Sequence, residues 1–424
     1  MATDSAVNVR AIAWRELIPC LRLLRVFRLA IRARVLVLAA LGVVLTAAAW
    51  GLLGWVLRVS SGPDGPDRRL PDSPAVLDLL VPDRPPLLAS INEPLGPPIA
   101  MPAVATNPLV FVWRSLSAPL LEALDVGVSA REMCYLLLGG LASLAIWSLF
   151  GGAITRAAAV ELAGDEEIGM VGALRYAASR WVSYFGAPLF PIAGILLAAA
   201  PVWLFGWLLR FDAGLLVAGL IWPLLLVGGF VMALLAAGLL FGWPLMWAST
   251  STEGTDSFDA LSRSHAYVYQ RPLHYLAYFI VAAVVGWLGW LVVENFAAGV
   301  VWLTYWAAAP SGGAARIGQL LTGSPARAGV AKAGAGLIHF WTGCVKLLAV
   351  AYLFSYFWSA ASGVYLLLRR DVDGTEMDEV FLDADEDEQR FELPTIRTDA
   401  AGAPEVADHP NPPQPPASGT DALR

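Results

Sequence analysis

Two charged side chains lie inside long apolar stretches of the chain, Glu294 and Lys346. Charged groups within a lipid bilayer are costly, and they usually face a partner or water. At about 1.5 Å per helical residue, Glu294 lies about 30 Å from Tyr275 and Lys346 about 34 Å from Arg369. Because these depths agree, we expect an ion pair, which could be structural or part of a gate or ion site. The alternative is that each side chain extends separately to the headgroups.

A second group of candidate residues lies in, or just after, the polar segment of residues 249–271, which separates two apolar stretches. Its members are Glu253, Asp256, Arg263, His265, Arg271 and His274. The two histidines are nine residues apart with Pro272 between them, so they do not have the spacing of metal ligands on one helix face. We therefore interpret the segment as a motif at the inner membrane interface, without a metal.

No catalytic motif accompanies these residues. The sequence contains no Gly-x-x-x-x-Gly-Lys, Gly-x-Ser-x-Gly or His-Glu-x-x-His pattern. Cys20, Cys134 and Cys344 are isolated from one another and from histidine-rich sequence, which favours small apolar filling over a zinc site or a disulfide. We predict that the protein is not an enzyme and that it needs no cofactor.

The apolar stretches predict an all-α fold, a polytopic transmembrane helical bundle of about six spans. Of the 424 residues 57% are hydrophobic and only 15% charged, against about 25% charged in soluble domains. The runs are long enough to cross a bilayer. They cover residues 35–57, 133–155, 184–209, 213–247, 275–303 and 336–368. The fourth run is either one long helix bent at Pro223 and Pro244 or a short hairpin.

The two ends of the chain have opposite charge. Residues 1–34 carry seven arginines and an apolar periodicity, which predicts an amphipathic arm that binds anionic lipid headgroups. Residues 371–424 carry fifteen acidic residues and then become rich in proline, which predicts a disordered tail with a possible protein partner. Neither end has the interleaved basic and aromatic residues of a nucleic-acid binder.

Charge also predicts the orientation. The arginines before the first span and Arg369-Arg370 after the last place both termini in the cytoplasm, which requires an even number of spans. This favours one long helix over residues 213–247. Residues 58–132 then form an extracytoplasmic loop rich in proline, with an interfacial helix near residues 109–124. Residues 133–370 form a five-span bundle.

Two polar segments of this bundle have similar plans, which suggests an internal repeat of span, short interfacial helix and span. In the first, acidic residues at 165–167 precede Ala173-Leu174-Arg175, and in the second Glu253 and Asp256 precede Ala260-Leu261-Ser262-Arg263. Such repeats occur in transporters. The alternative is that any loop between spans needs polar residues and an arginine.

The sequence resembles uncharacterised multi-pass membrane proteins of bacteria. The resemblance depends on Glu253–Ser264, on Gln270–Tyr275 and on Asp371–Phe381, and it covers most of residues 130–392. It implies a location in the bacterial inner membrane, and it brings no activity or site.

Two functions remain open. The first is a structural or accessory membrane protein that organises partners through its charged ends, and we favour it because the spans contain few polar residues. The second is a transporter or permease built from the repeat.

Overall fold

A computed structural model describes residues 22–57, 107–123, 128–164, 167–321, 329–377, 379–381, 396–398 and 404–406. It forms two units, Met1–Val380 and Phe381–Arg424, and each is described by itself. Residues 1–21, most of the proline-rich loop and most of the tail lie outside the described part, as do the predictions made for them.

The first unit is helical. Its helices are α1 (Leu24–Ala30), α2 (Ala33–Leu57), α3 (Pro108–Ala123), α4 (Ala130–Gly164), α5 (Met170–Ser179), α6 (Trp181–Gly186), α7 (Leu189–Gly206), α8 (Asp212–Glu253), α9 (Ser257–Gln270), α10 (Pro272–Gly312), α11 (Ala314–Leu321) and α12 (Val330–Asp373). A 3-10 turn, Trp207–Arg210, joins α7 to α8.

The predicted fold class is confirmed. Six helical segments of the described chain are long and apolar enough to cross a membrane: α2, α4, the stretch from α6 to the 3-10 turn, α8, α10 and α12. The chain is therefore a multi-pass integral membrane protein. The fourth apolar run is one helix, because α8 continues through Pro223 and Pro244, and the hairpin alternative is wrong. Membrane helices tolerate proline where neighbouring groups satisfy the freed carbonyl.

The central helix of the bundle is α12. Every residue from Ala349 to Arg369 is buried, since α1, α2, α3, α4, α8 and α10 surround this part of the helix. The sequence explains the position, because a helix that is apolar all round can be covered on all sides.

Helices α2 and α4 pack closely because each presents a glycine to a tryptophan of the other. Trp50 lies on Gly139, and Trp147 lies on Gly42. A β-carbon at Gly139 would lie 2.3 Å from the Trp50 ring. Small residues allow membrane helices this close approach, and van der Waals packing then holds them together.

One end of the bundle carries buried charged groups, and we call it the polar end. Helices α2 and α10 begin there, and α4, α8 and α12 end there. Arg34 at the start of α2 pairs with Glu161 near the end of α4 at 3.0 Å. Tyr278 of α10 donates a hydrogen bond to Asp371 near the end of α12 at 2.6 Å.

Two short amphipathic helices, α5 and α9, also pack at the polar end. Each follows a span and precedes another. Each helix buries the alanine that the two segments share, Ala173 in α5 and Ala260 in α9. One difference is that α9 leads directly into α10, whereas α6 intervenes between α5 and α7.

The basic arm packs on protein where it is described. Leu23 and Val26 contact Gly363 of α12, and the Ala30 carbonyl accepts a hydrogen bond from Ser355 at 2.6 Å. This corrects the prediction that the apolar face of the arm lies on lipid. An amphipathic pattern shows that one face is covered, but it does not distinguish protein from bilayer as the cover.

The predicted interfacial helix corresponds to α3, and its first two turns pack on the bundle. Asn107 donates a hydrogen bond to the Ala283 carbonyl at 2.8 Å, and Trp113 to the Leu240 carbonyl at 2.9 Å. Both carbonyls belong to interior turns of the long helices α10 and α8. These two turns of α3 therefore contact neighbouring spans, which the interfacial placement did not include.

The second unit contains one short antiparallel pair, β1 (Ile396–Thr398) with β2 (Pro404–Val406). The register pairs Ile396 with Val406, Arg397 with Glu405 and Thr398 with Pro404. The tail was predicted to be disordered throughout, and this strand pair was not expected there.

Candidate functional site

The polar end is organised around the carboxylate of Glu253, the last residue of α8. Tyr365 of α12 donates a hydrogen bond to Oε1 at 2.5 Å, and Arg263 of α9 forms an ion pair with Oε2. Arg369 of α12 lies 3.9 Å from Oε1. One carboxylate therefore joins three helices and has two arginines beside it. We call these four residues the Glu253 cluster.

Arg369 is also held by the segment that follows α12. Its Nη2 donates hydrogen bonds to the Glu376 carbonyl at 2.9 Å and to the Glu379 carbonyl at 2.5 Å. Met377 between them is buried. The tail was predicted to be disordered from residue 371, and this boundary is wrong. The chain turns back at Gly374, where φ is +70°, and stays on the bundle because a buried arginine needs acceptors.

The first acidic residues of the predicted tail accept hydrogen bonds from tyrosines. Tyr267 of α9 donates to Asp373, and Tyr278 of α10 to Asp371. Burial and then the contact with Asp373 raise the pKa of Tyr267, so its hydroxyl remains a donor. For Arg263 burial is the largest single effect and acts to lower the pKa, but Glu253, Tyr365 and Tyr267 together outweigh it and raise the pKa. Both groups therefore keep the ionisation that these contacts require.

Arg156, which is fully buried in α4, lies beside the Glu253 cluster. Its Nη1 donates a hydrogen bond to the Ser251 carbonyl at 2.8 Å, and its Cζ lies 4.0 Å from the centre of the Tyr176 ring. A cation over an aromatic face is stabilised electrostatically, and more strongly when both are shielded from water. Arg156 therefore fastens α5 and α8 to α4.

Hydroxyl groups complete this region. The Ser251 hydroxyl lies 2.6 Å from that of Thr155 and 2.8 Å from that of Tyr184. Tyr176 donates to the Thr250 carbonyl at 2.8 Å. These hydrogen bonds thus join α8 to α4, α5 and α6, and pairing of this kind is the condition for burying polar groups at low cost.

A second ionic contact joins the basic arm to α4. Arg32 and Arg34 both pair with Glu161, at 2.8 Å and 3.0 Å. They also pair with Glu167, which follows the end of α4 in the sequence. Arg32 was predicted to face anionic lipid headgroups, and the structure pairs it instead with two carboxylates of the chain.

The structure separates the members of the predicted interface motif. Glu253 and Arg263 belong to one cluster, as described above. Asp256 caps α9 instead, since its side chain accepts hydrogen bonds from the amides of Phe258 and Asp259 at 3.0 and 2.9 Å. Arg271 is exposed and ends α9. The motif is therefore one charged cluster followed by ordinary helix boundaries.

The two histidines lie in different surroundings. His274 is exposed and contacts the Tyr278 ring. His265 packs on Gly238 of α8; its Nδ1 lies 3.1 Å from the Leu261 carbonyl, and its Nε2 is buried without a hydrogen-bond partner. Burial lowers the pKa of His265, and the Leu261 carbonyl opposes this only in part.

His265 should make the packing of α9 on α8 sensitive to acid. A histidine whose pKa is lowered by folding contributes stability above its unfolded pKa of about 6.5, and that contribution is lost as the pH falls further. We expect His265→Gln to reduce the loss of thermal stability between about pH 7.5 and about pH 5, measured in detergent. His274→Gln is the matched control and should leave that difference unchanged. An equal effect of both substitutions would contradict the assignment.

Glu294 and Lys346 do not form the predicted pair. Among the residues that the structure describes, no ion pair joins them, and Oε2 of Glu294 is buried without a hydrogen-bond partner. Lys346 is half-buried on α12. The depth argument failed because it gives the position of a residue along a helix and not the direction in which its side chain points.

Two further findings bear on function. Within the described ranges, no three side chains among histidine, cysteine, aspartate and glutamate are grouped so that they could hold a metal ion. No family model, curated protein or solved structure matches the chain.

Proposed function

We propose that this integral membrane protein is a structural or accessory protein that organises partners in the membrane. The observation that carries the proposal is the filled aromatic interior of the bundle. Trp358 of α12 stacks on Trp247 of α8 at 4.3 Å between ring centres, and Trp147 of α4 stacks on Phe354 at 4.6 Å.

Glycines bring these rings against the neighbouring backbones. A β-carbon at Gly286 of α10 would lie 2.5 Å from the Tyr356 ring, and one at Gly151 of α4 would lie 2.7 Å from the Trp247 ring. Interiors packed this closely transmit force and resist sliding. Alternating access instead requires one group of helices to rock against another around a central site. The packing therefore supports a rigid framework more than a moving one.

The location of the charged groups supports the same proposal. The Glu253 cluster, Arg156 and the arm contacts of Glu161 all lie at the polar end, where they join elements of the chain to one another. Paired charges of this kind hold helices together, whereas a transport path places polar groups along the spans. Partners would then meet the lipid-facing helices, such as α7 and the first half of α8, whose large apolar side chains are exposed.

Reconstitution tests this proposal against the transporter alternative. We expect purified protein in liposomes to show no saturable flux of ions, amino acids, sugars or nucleosides above that of empty liposomes. In cells, a photo-reactive residue at the exposed Phe230 should crosslink to one defined membrane protein, and the same residue at the buried Ala218 should not. Saturable flux of one solute would contradict the scaffold role and favour a permease built from the repeat.

The location and orientation belong to the same proposal: a bacterial inner membrane with both termini in the cytoplasm. It rests on the seven arginines before α2 and on Arg369-Arg370 at the end of α12. Anionic lipid would bind the part of the arm before residue 22, and a protein partner the acidic tail.

Single cysteines test the orientation. With Cys20, Cys134 and Cys344 replaced, a cysteine at Ser311 near the end of α10 should react with an impermeant thiol reagent in intact cells. A cysteine at Ser418 should react only after permeabilisation. The reverse pattern would invert the orientation, and labelling of both in intact cells would require an odd number of spans.

A further inference from the structure

Glu294 lies on the buried stripe of α10 that faces the interior of the bundle. The buried residues of this helix recur at intervals of three or four: Ala282, Gly286, Gly289, Trp290, Glu294, Ala297 and Val301. Only 8% of Glu294 is exposed. The carboxyl therefore points away from the lipid and away from bulk water, among glycine, alanine, valine and aromatic neighbours.

Within the described ranges no charged side chain forms an ion pair with this carboxyl. The titratable side chains on the described helices that pack against α10 are, on α12, Lys332, His339, Cys344, Lys346, Tyr352, Tyr356, Tyr365, Arg369, Arg370, Asp371 and Asp373; on α3, Arg114 and Glu122; on α1, Arg25 and Arg28; on α9, Asp259, Arg263, His265, Tyr267 and Tyr269; and on α11, Arg316. None of them forms an ion pair or a hydrogen bond with Glu294 in the described structure. The nearest of these hydroxyls along the stripe, that of Tyr352, donates to the Gly286 carbonyl at 3.5 Å.

An unpaired carboxylate in such surroundings is strongly disfavoured, because neither water nor a counter-charge stabilises it. A protonated carboxyl is neutral. Its O–H can donate one hydrogen bond, and its oxygens can still accept hydrogen bonds. The indole Nε1 of Trp290, one turn earlier on the same stripe, is a second buried polar atom without a hydrogen-bond partner. Residues four apart on a helix are neighbours, so Trp290 and Glu294 lie on the same face of α10.

We propose that Glu294 is a proton-binding site within the membrane-spanning bundle, a buried carboxyl that carries a proton. The ligand is the proton itself. A metal cation fits less well, because the neighbouring indole presents an N–H and not an oxygen. The site does not depend on the scaffold role, since the infrared and flux experiments can succeed or fail separately.

Infrared difference spectroscopy of the full chain in lipid tests the site directly. At neutral pH the wild-type protein should show the C=O stretching band of a protonated carboxyl, shifted in deuterium oxide and absent from Glu294→Gln. The band should give way to carboxylate bands as the pH is raised. Asp259→Asn, which removes an exposed carboxylate of α9, is the control and should keep the band. Loss of a carboxylate band in Glu294→Gln at neutral pH would overturn the proposal.

Chemical modification gives an independent readout. A hydrophobic carbodiimide takes the proton of a carboxylic acid on nitrogen while the carboxyl oxygen adds to its central carbon, and acyl migration then gives a stable N-acylurea. We expect a mass adduct on the peptide that contains Glu294, and its yield should fall as the pH rises. Glu294→Asp should restore the adduct that Glu294→Gln loses. An adduct yield that does not change with pH would contradict the proposal.

Discussion

Glu253→Gln should lower the stability of the detergent-solubilised protein by about 2–3 kcal/mol, measured by thermal or denaturant unfolding. The substitution keeps the size of the side chain and removes its charge, so Arg263 and Arg369 lose their shared counter-charge. Arg369 is almost completely buried, and removing one partner of a buried pair costs about 3–5 kcal/mol. Arg263 is partly exposed, and water compensates it in part.

Asp259→Asn is the matched control, because it removes a carboxylate of the same polar segment that is exposed and belongs to no described ion pair. Its expected cost is below about 0.5 kcal/mol, the loss of a charge in the first turn of a helix. In the double variant, Glu253→Gln with Arg263→Met, the loss of unfolding free energy should be smaller than the sum of the losses in the two single variants. Additive losses, or equal effects of the two acid-to-amide changes, would show that the cluster does not hold α8, α9 and α12 together.

The spans could be predicted because their signal is local. A run of about 20 apolar residues crosses a bilayer only as a helix, so α2, α8 and α12 followed from composition along the chain. The ends were less accurate. Helix α4 continues to Gly164, past the predicted end at Thr155, since Arg156 and Glu161 are buried by partners from other helices.

The candidate site depends on contacts between distant segments, which a single sequence does not contain. Glu253 and Arg263 could be named from their spacing, but Arg369 was read only as a charge at the end of a span. Arg156 was missed entirely. A signal for it was present, an arginine followed by the helix-forming residues Ala157–Leu162, which is unusual for the end of a span.

The wrong pairing of Glu294 with Lys346 has a simple geometric cause. Depth along a helix follows from 1.5 Å per residue, but the direction of a side chain depends on how the helix is rotated against its neighbours. The period of the glycines could have indicated that rotation. Gly286, Gly289 and Trp290 mark the buried face of α10, and Glu294 lies one turn beyond Trp290 on the same face.

Gly151→Ala should destabilise the bundle by about 1–3 kcal/mol, the usual cost of overpacking a close-packed core. A β-carbon there would lie 2.7 Å from Trp247 and 2.8 Å from Trp358, and both rings are buried. Neither ring can move freely. They stack on each other at 4.3 Å, and Trp247 donates a hydrogen bond to the Tyr184 carbonyl at 2.8 Å. Thermal unfolding in detergent measures the change.

The matched control for this substitution is Gly299→Ala in α10, where a β-carbon would meet no atom within 4 Å. Alanine favours a helix over glycine by about 1 kcal/mol, so this variant should be as stable as the wild type or more stable. The two glycine-to-alanine changes should therefore shift the unfolding midpoint in opposite directions. A rise with both would mean that the tryptophan stack is loose enough to admit a methyl group. The rigid interior on which the proposed scaffold role depends would then lose its main support.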